Sequence, residues 1–264
     1  MRTDKNTLAG FTLIELMLSM VFGLIVLSGL TSIYLAVVTS SSDTLKNTKL
    51  NSQLMTIMGI MADDIRRAGY WSNSNLLAPT DNPFNQVDDS RLVIVKSVTD
   101  KTKIVEDSNI DGSCILYSYD RDEDGLVDNS SSRYEYYGFR LNGGTVQVRS
   151  SGSVTQGDSC TNGNWYDLSD DDLYQIDTLT FNPRNSSCAN SSEPDGSDSD
   201  NDTNNDVDDE SEKDCYRVAA AAGHVTVETR EILITLGGSL KNDANVKAQY
   251  SQSIRVRNDL VRVR

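Results

Sequence analysis

Nine residues, "DRDEDGLVD" from Asp120 to Asp128, place Asp120, Asp122, Asp124 and Asp128 at offsets 0, 2, 4 and 8, with Gly125 at the turn. Calcium takes about six to eight hard oxygens, and a D-x-D-x-D-G loop folds three carboxylates round one point. In the EF-hand pattern Leu126 would add its backbone carbonyl and Asp128 a further oxygen. The twelfth position, usually a bidentate Glu, is Ser131, so Glu135 or another segment would have to complete the sphere. An acidic hairpin turn between two strands accounts for the same Asp and Gly residues. A weaker version of the spacing occurs at Asp198, Asp200, Asp202, Asp206 and Asp209, with no Gly at the sixth position. It lies in Glu193–Asp214, where eleven Asp or Glu accompany a single Lys. So polar a stretch reads as a solvated loop, and dense acidity meets such spacing by chance. Calcium is thus the one cofactor the sequence suggests.

Catalytic patterns are absent from the sequence. The single histidine, His224, follows Gly223 at a strand start and reads as structural. No G-x-S-x-G, H-E-x-x-H, Walker or G-x-G-x-x-G arrangement occurs. The expectation is a protein that is not an enzyme.

The remaining residue with chemistry is Glu15. From Phe11 to Val38 run 28 residues without Lys, Arg or Asp, and Glu15 is their one charge. About 20 apolar residues suffice to cross a bilayer as a helix. Arg2 and Lys5, against Asp4, place the first ten residues in the cytoplasm and the bulk of the chain outside. The run is too long for the h-region of a secretory signal peptide, and Leu35–Thr39 offers no A-x-A-type site. A carboxylate inside a membrane segment needs a partner, and no Lys, Arg or His is near. Cutting between Gly10 and Phe11 would create one, because a neighbouring chain's new α-amino group could meet Glu15 in low dielectric. Such pairing would fix the register between stacked helices.

Gly10, then Phe11-Thr12-Leu13-Ile14-Glu15 and a long apolar helix, resembles the class III leader of type IV pilins and type II secretion pseudopilins. The resemblance implies cleavage after Gly10 by prepilin peptidase and N-methylation of Phe11. It also implies a role for Glu15 in methylation and subunit docking. The pieces "DIRRAGYW" (Asp64–Trp71), "YYGFRLNGGTVQV" and "IRVRN" resemble the PilW-like minor pilins more specifically. Partners implied are other minor pilins and the major pilin, the peptidase and the inner-membrane assembly platform. The implied location is the inner membrane, single-pass with a periplasmic domain, and then the pilus.

The chain has 264 residues and a formal charge of −15. An acidic surface without clustered Lys or Arg argues against nucleic-acid binding. Cys114, Cys160, Cys188 and Cys215 all follow the membrane segment, with no C-x-x-C pair. An even count in an exported domain suggests two disulfides, with three connectivities open. The sequential one, Cys114–Cys160 with Cys188–Cys215, is preferred because its second pair would close the acidic loop, 189–214.

The elements that must position these residues follow from periodicity. Past a polar break at Thr39–Asp43, Leu50, Leu54, Ile57, Met58, Met61, Ile65 and Ala68 recur at spacings of three and four, one helical stripe. Gly69 reads as the helix stop, with Arg66 and Arg67 in the last turn. One helix over 11–68 is therefore expected, with a transmembrane half, 11–38, and an amphipathic half, 39–68, after a leader at 1–10. Residues 69–264 should form one extracytoplasmic β-rich domain. Strands are expected at Leu92–Val95, Cys114–Tyr119, Tyr134–Phe139, Ile176–Phe181, His224–Leu236 and Ser253–Asn258, with a hairpin at Asn142-Gly143. The expected fold class is α+β, a long N-terminal helix packed on an antiparallel sheet, as in type IV pilins.

Three readings compete. The chain is a minor pilin initiating or capping a type IV pilus, in support of adhesion, twitching or DNA uptake; a minor pseudopilin of a type II secretion system; or a membrane-anchored calcium-dependent adhesin that never polymerises. Glu15 speaks against the third, because a docking carboxylate is useful only below another subunit. The "RRAGYW" and "RVRN" patches favour the first over the second.

Overall fold

The computed structural model describes residues 10–86, 91–104, 108–130, 133–151, 160–192 and 213–264. The weaker acidic pattern, Asp198 to Asp209, and Ser131 lie outside the described residues. The chain divides into two units, Met1–Thr48 and Lys49–Arg264. Helix α1 (Leu13–Ile65) supplies most of the first unit and begins the second.

In the first unit every residue from Gly10 to Leu45 is exposed. The helix is long and apolar enough to cross a membrane. Its hydroxyls do not spoil that fit. Ser19, Ser28, Thr31, Ser32 and Thr39 each donate to a carbonyl one turn back, which removes the cost of a bare donor in hydrocarbon. The polar run Thr39–Asp43 does not interrupt the helix.

In the second unit the same helix buries one stripe: Leu50, Leu54, Ile57, Met58, Met61, Ala62 and Ile65. The α-helix ends at Ile65, three residues before Ala68, so Arg66 and Arg67 fall in the turn that follows. Gly69 there has φ +72°, a left-handed conformation that side chains with a Cβ resist. A short helix α2 (Pro83–Gln86) comes next.

Among the described residues the strands are β1 (Val93–Val95), β2 (Cys114–Ser118), β3 (Asn129–Ser130), β4 (Arg133–Tyr134), β5 (Tyr136–Asn142), β6 (Thr145–Ser151) and β7 (Asn164–Asp167). They continue as β8 (Tyr174–Asn182), β9 (Ser187–Asn190), β10 (Val225–Thr229), β11 (Glu231–Leu240), β12 (Asp243–Arg255) and β13 (Leu260–Val263). They form antiparallel sheets in the orders β1-β2-β5-β6-β7, β12-β11-β8 and β13-β10-β9, with β3 and β4 as a small ribbon. The stripe of α1 packs into one core with Ile115, Tyr117, Phe139, Leu179, Phe181, Ile234 and Ile254 from the two larger sheets. The fold is α+β and pilin-like, with the helix laid on antiparallel sheets.

Further details depart from the sequence expectation: the strand expected at Ser253–Asn258 is the end of the longer β12, which stops at Arg255. The hairpin turn is Gly143-Gly144, both at positive φ, while Asn142 still pairs with Thr145 in the strands. A two-residue turn with positive φ at both centres suits two glycines best. The expected single strand 224–236 breaks at Arg230 into β10 and β11, which belong to different sheets. Its guanidinium is buried at that point. Arg230 Nη1 donates to the Leu92 carbonyl at 2.5 Å and Nη2 reaches Glu228 at 3.6 Å, both deep in the domain.

Disulfides join Cys114 to Cys160 and Cys188 to Cys215, the sequential connectivity. The first sits on the far side of the five-stranded sheet, in a small cluster with Val93, Val95 and Leu116. Glu228, fully buried on β10, is held by Arg262 at 2.6 Å, Arg264 at 2.9 Å and Arg230 at 3.6 Å.

Candidate functional site

The head of α1 is the first site. Thr12 precedes the first helical residue, and its backbone N–H and hydroxyl both donate to Glu15 Oε2, at 3.2 and 3.1 Å. In return the Glu15 N–H donates to Thr12 Oγ1 at 3.3 Å. This is a reciprocal capping box, T-x-x-E, which satisfies donors that a helix start leaves bare. Within one chain, then, the partner of Glu15 is Thr12 and not a cation, at a spacing visible in the sequence. Gly10 and Phe11 are exposed just ahead of it, Phe11 at 87%.

The foot of α1 is the second. Asp64, on its last turn, accepts the Tyr117 hydroxyl on Oδ2 at 2.5 Å and the Tyr119 hydroxyl on Oδ1 at 3.0 Å. Tyr119 stacks on Tyr137 with ring centroids 4.2 Å apart. Burial first, and then the Asp64 charge, hold the Tyr117 and Tyr119 phenols above their ordinary pKa. Both therefore stay protonated as donors. The carbonyls that the helix end leaves over are met by the C-terminal segment: Arg257 N–H donates to Arg66 at 3.1 Å, and the Asn258 amide to Ala68 at 3.1 Å. The "DIRRAGYW" and "IRVRN" patches, some 190 residues apart in sequence, are thus one structural piece.

The acidic loop hangs from the same place. Trp71 Nε1 donates to the Gly125 carbonyl at 3.1 Å, and Ser72 donates to Asp120 Oδ2 through its N–H at 3.1 Å and its hydroxyl at 2.7 Å. Gly125 N–H adds a third donor to that oxygen, at 3.1 Å. Gly125 has φ +80°, and a Cβ there would collide with Asn73.

A family model described as Prepilin peptidase-dependent protein B matches residues 43–256. The chain belongs to that family. The prepilin peptidase-dependent protein B family is related to the type IV pilins, and this member is pilin-like in fold as well. No curated protein and no solved structure matches the chain. The matched residues begin after the head of α1. The Gly10–Glu15 motif is therefore a separate observation from the family match.

The expected calcium residues fall into two overlapping acidic groups. Asp122, Asp124 and Asp128 bring carboxylate oxygens together as one exposed or half-buried triad, and Asp120, Asp122 and Glu135 form another. Asp124 Oδ1 also accepts the Leu126 N–H at 2.8 Å, and the Leu126 side chain points to solvent. Glu135, outside the nine-residue motif, is 1% exposed, accepting Arg121 N–H on Oε1 and Asp128 N–H on Oε2, both at 2.8 Å. Burial raises its carboxyl pKa against those two donors, and the Asp120 and Asp122 charges add to the rise. His224 is engaged with Asn190 through Nδ1 at 3.0 Å.

Proposed function

We propose that the chain is a minor pilin of a type IV pilus, PilW-like, cut between Gly10 and Phe11 by prepilin peptidase and N-methylated at Phe11. It initiates or caps the fibre with other minor pilins and the major pilin, and so supports adhesion, twitching or DNA uptake. Its role is structural and not enzymatic. It waits in the inner membrane on the assembly platform, its domain in the periplasm, and moves into the pilus on assembly. The observation that carries this reading is the leader motif, Gly10 to Glu15, at the head of α1 in a chain whose residues 43–256 match the prepilin peptidase-dependent family. An all-exposed apolar helix half supports it, because filament neighbours and lipid both cover such a surface.

The capping box refines the role of Glu15. Before assembly its carboxylate rests on Thr12. In the fibre a neighbour's Phe11 amine, a full charge in low dielectric, displaces that weak local contact. Three variants separate the two uses. Gly10→Phe should leave uncut precursor in membrane fractions by intact mass. Glu15→Leu should abolish co-purification with other minor pilins and surface pili. Thr12→Ala, which breaks the cap and keeps the carboxylate, should leave both near wild type. A mature start near Thr39 would sink the reading, as would Thr12→Ala and Glu15→Leu being equally defective. Deleting the gene and scoring surface pili apart from secreted enzymes decides against the pseudopilin role if only pili are lost.

A further inference from the structure

We infer that Asp120, Asp122 and Glu135 hold a divalent cation, calcium by preference, at the foot of the helix. The three carboxylates each bring an oxygen within 4.8 Å of the others, and two of them are almost wholly buried: Asp120 at 2% exposure and Glu135 at 1%. Asp120 Oδ2 carries all the hydrogen bonds that residue receives, from Ser72 and Gly125. Oδ1 is buried and accepts none. A buried carboxylate oxygen left bare is costly, and a second buried carboxylate beside it adds repulsion. The rest of the molecule treats buried acids otherwise. Glu228 is surrounded by three guanidinium groups, and Asp64 takes two phenol hydroxyls and sits 3.7 Å from Arg67. Neither Asp120 nor Glu135 forms an ion pair with any described residue. A bound cation supplies the missing charge and gives Oδ1 its partner.

The donor set is all oxygen, which selects a hard ion. Magnesium demands near-octahedral geometry and keeps its water, whereas calcium accepts an irregular cage of carboxylates with water in the remaining places. The site differs from the nine-residue loop pattern: it takes in Glu135 from outside that loop, while Asp124 belongs to the separate triad with Asp122 and Asp128 and caps Leu126. Its effect is mechanical. Asp120 lies just past β2, Glu135 immediately precedes β5, and Ser72, beyond the end of α1, bonds Asp120, so one ion ties together segments that meet at the foot of α1.

Trp71 reports on this place, because its indole bonds Gly125 in the loop. The full chain in detergent, in a Trp165→Phe background, is titrated with calcium and separately with magnesium, following tryptophan emission. Terbium luminescence excited through Trp71 is the second readout. Expected is a saturable calcium response with a Kd on the order of 10⁻⁴–10⁻³ M, and a magnesium response at least tenfold weaker. Asp122→Asn, an exposed substitution, should weaken calcium at least tenfold; Asp120→Asn should abolish it; Asp124→Asn should leave it unchanged. If Asp120→Asn does not fold, the Asp122 and Asp124 pair decides alone. The inference is overturned if calcium gives no response, if magnesium equals it, or if Asp124→Asn weakens binding as much as Asp122→Asn. None of these outcomes depends on the assembly role proposed above.

Discussion

The two halves of α1 both carry many Leu, Ile and Met residues, yet they meet opposite surroundings. Leu24 is 64% exposed and Leu54 is 0%. Before Lys49 the apolar residues lie all round the helix; after it most fall on one buried stripe, Met55 and Ile60 excepted, with Asp63 and Arg66 paired at 2.8 Å on the outer side. An apolar stripe buries itself in its own fold, whereas a helix apolar on every side must find lipid or other chains. Composition and periodicity both separate the halves: Glu15 is the one charge in α1 before Thr39, whereas Asp43, Lys46, Lys49, Asp63 and Asp64 follow it.

That contrast breaks if truncation in either half costs the folded domain alike. Leu54→Ala should destabilise it by about 2–5 kcal/mol, lowering the melting temperature by roughly 5–15 °C at this size. Leu24→Ala should leave it within about 0.5 kcal/mol, with any defect confined to filament number. Calorimetry of the purified chain in detergent measures the first effect and surface pilus counts the second. Equal melting losses would erase the division between the halves.

Which parts were legible follows the same divide. The stripe from Leu50 to Ile65, the strands at Val93–Val95 and Cys114–Ser118 and the β5–β6 hairpin all carry local periodic or turn signals, and the sequence expectation met them within a few residues. The Gly143-Gly144 turn was misplaced by one position, since Asn142-Gly143 and Gly143-Gly144 are both hairpin pairs and only strand register chooses. The break at Arg230 has no local signal, and the buried contact made there is with Leu92, 138 residues away. Asp64 with its tyrosines, Asn258 on the helix end and Glu135 beside Asp120 are also non-local. Spacing in sequence could raise Asp120 as a ligand. It could not say that the fold would set Glu135 beside Asp120 and Asp122.

The contrast sharpens at Asp64, the last polar anchor of the buried half. Asp64→Ala leaves the Tyr117 and Tyr119 hydroxyls without their acceptor and should cost about 1–3 kcal/mol. The tyrosines also give a pH signature. Their folded pKa values lie above the ordinary value near 10.0, so the neutral phenols belong to the fold. The associated stability is fully present below about pH 10 and is lost as pH rises beyond it. Wild type should therefore melt earlier from about pH 10 upward. Replacing Tyr119 with Phe should shrink that loss, and an alkaline slope unchanged in that variant would show that the phenol is not responsible.

The smallest effect concerns how each end of α1 is capped. The head is capped from within, Thr12 and Glu15 exchanging hydrogen bonds three residues apart. The foot is capped from the far end of the chain, Asn258 donating to Ala68 at 3.1 Å and more weakly to Arg67 at 3.4 Å. A local cap stabilises only its own turn, whereas one supplied by a remote segment is lost only when the whole domain opens. Asn258→Ala should therefore lower global stability by about 0.5–1.5 kcal/mol, the usual net worth of one such bond, because the Arg257 N–H still meets Arg66. Thr12→Ala removes a cap of similar strength but should leave the melting of the Lys49–Arg264 unit unchanged, fraying only the first turn. Hydrogen exchange distinguishes the two: Asn258→Ala should accelerate amides across β11 and β12 as well as the helix foot, and Thr12→Ala should accelerate only amides near Leu13. If exchange in Asn258→Ala rises only around Ala68, the C-terminal segment is a local latch and the two ends of the helix are capped alike.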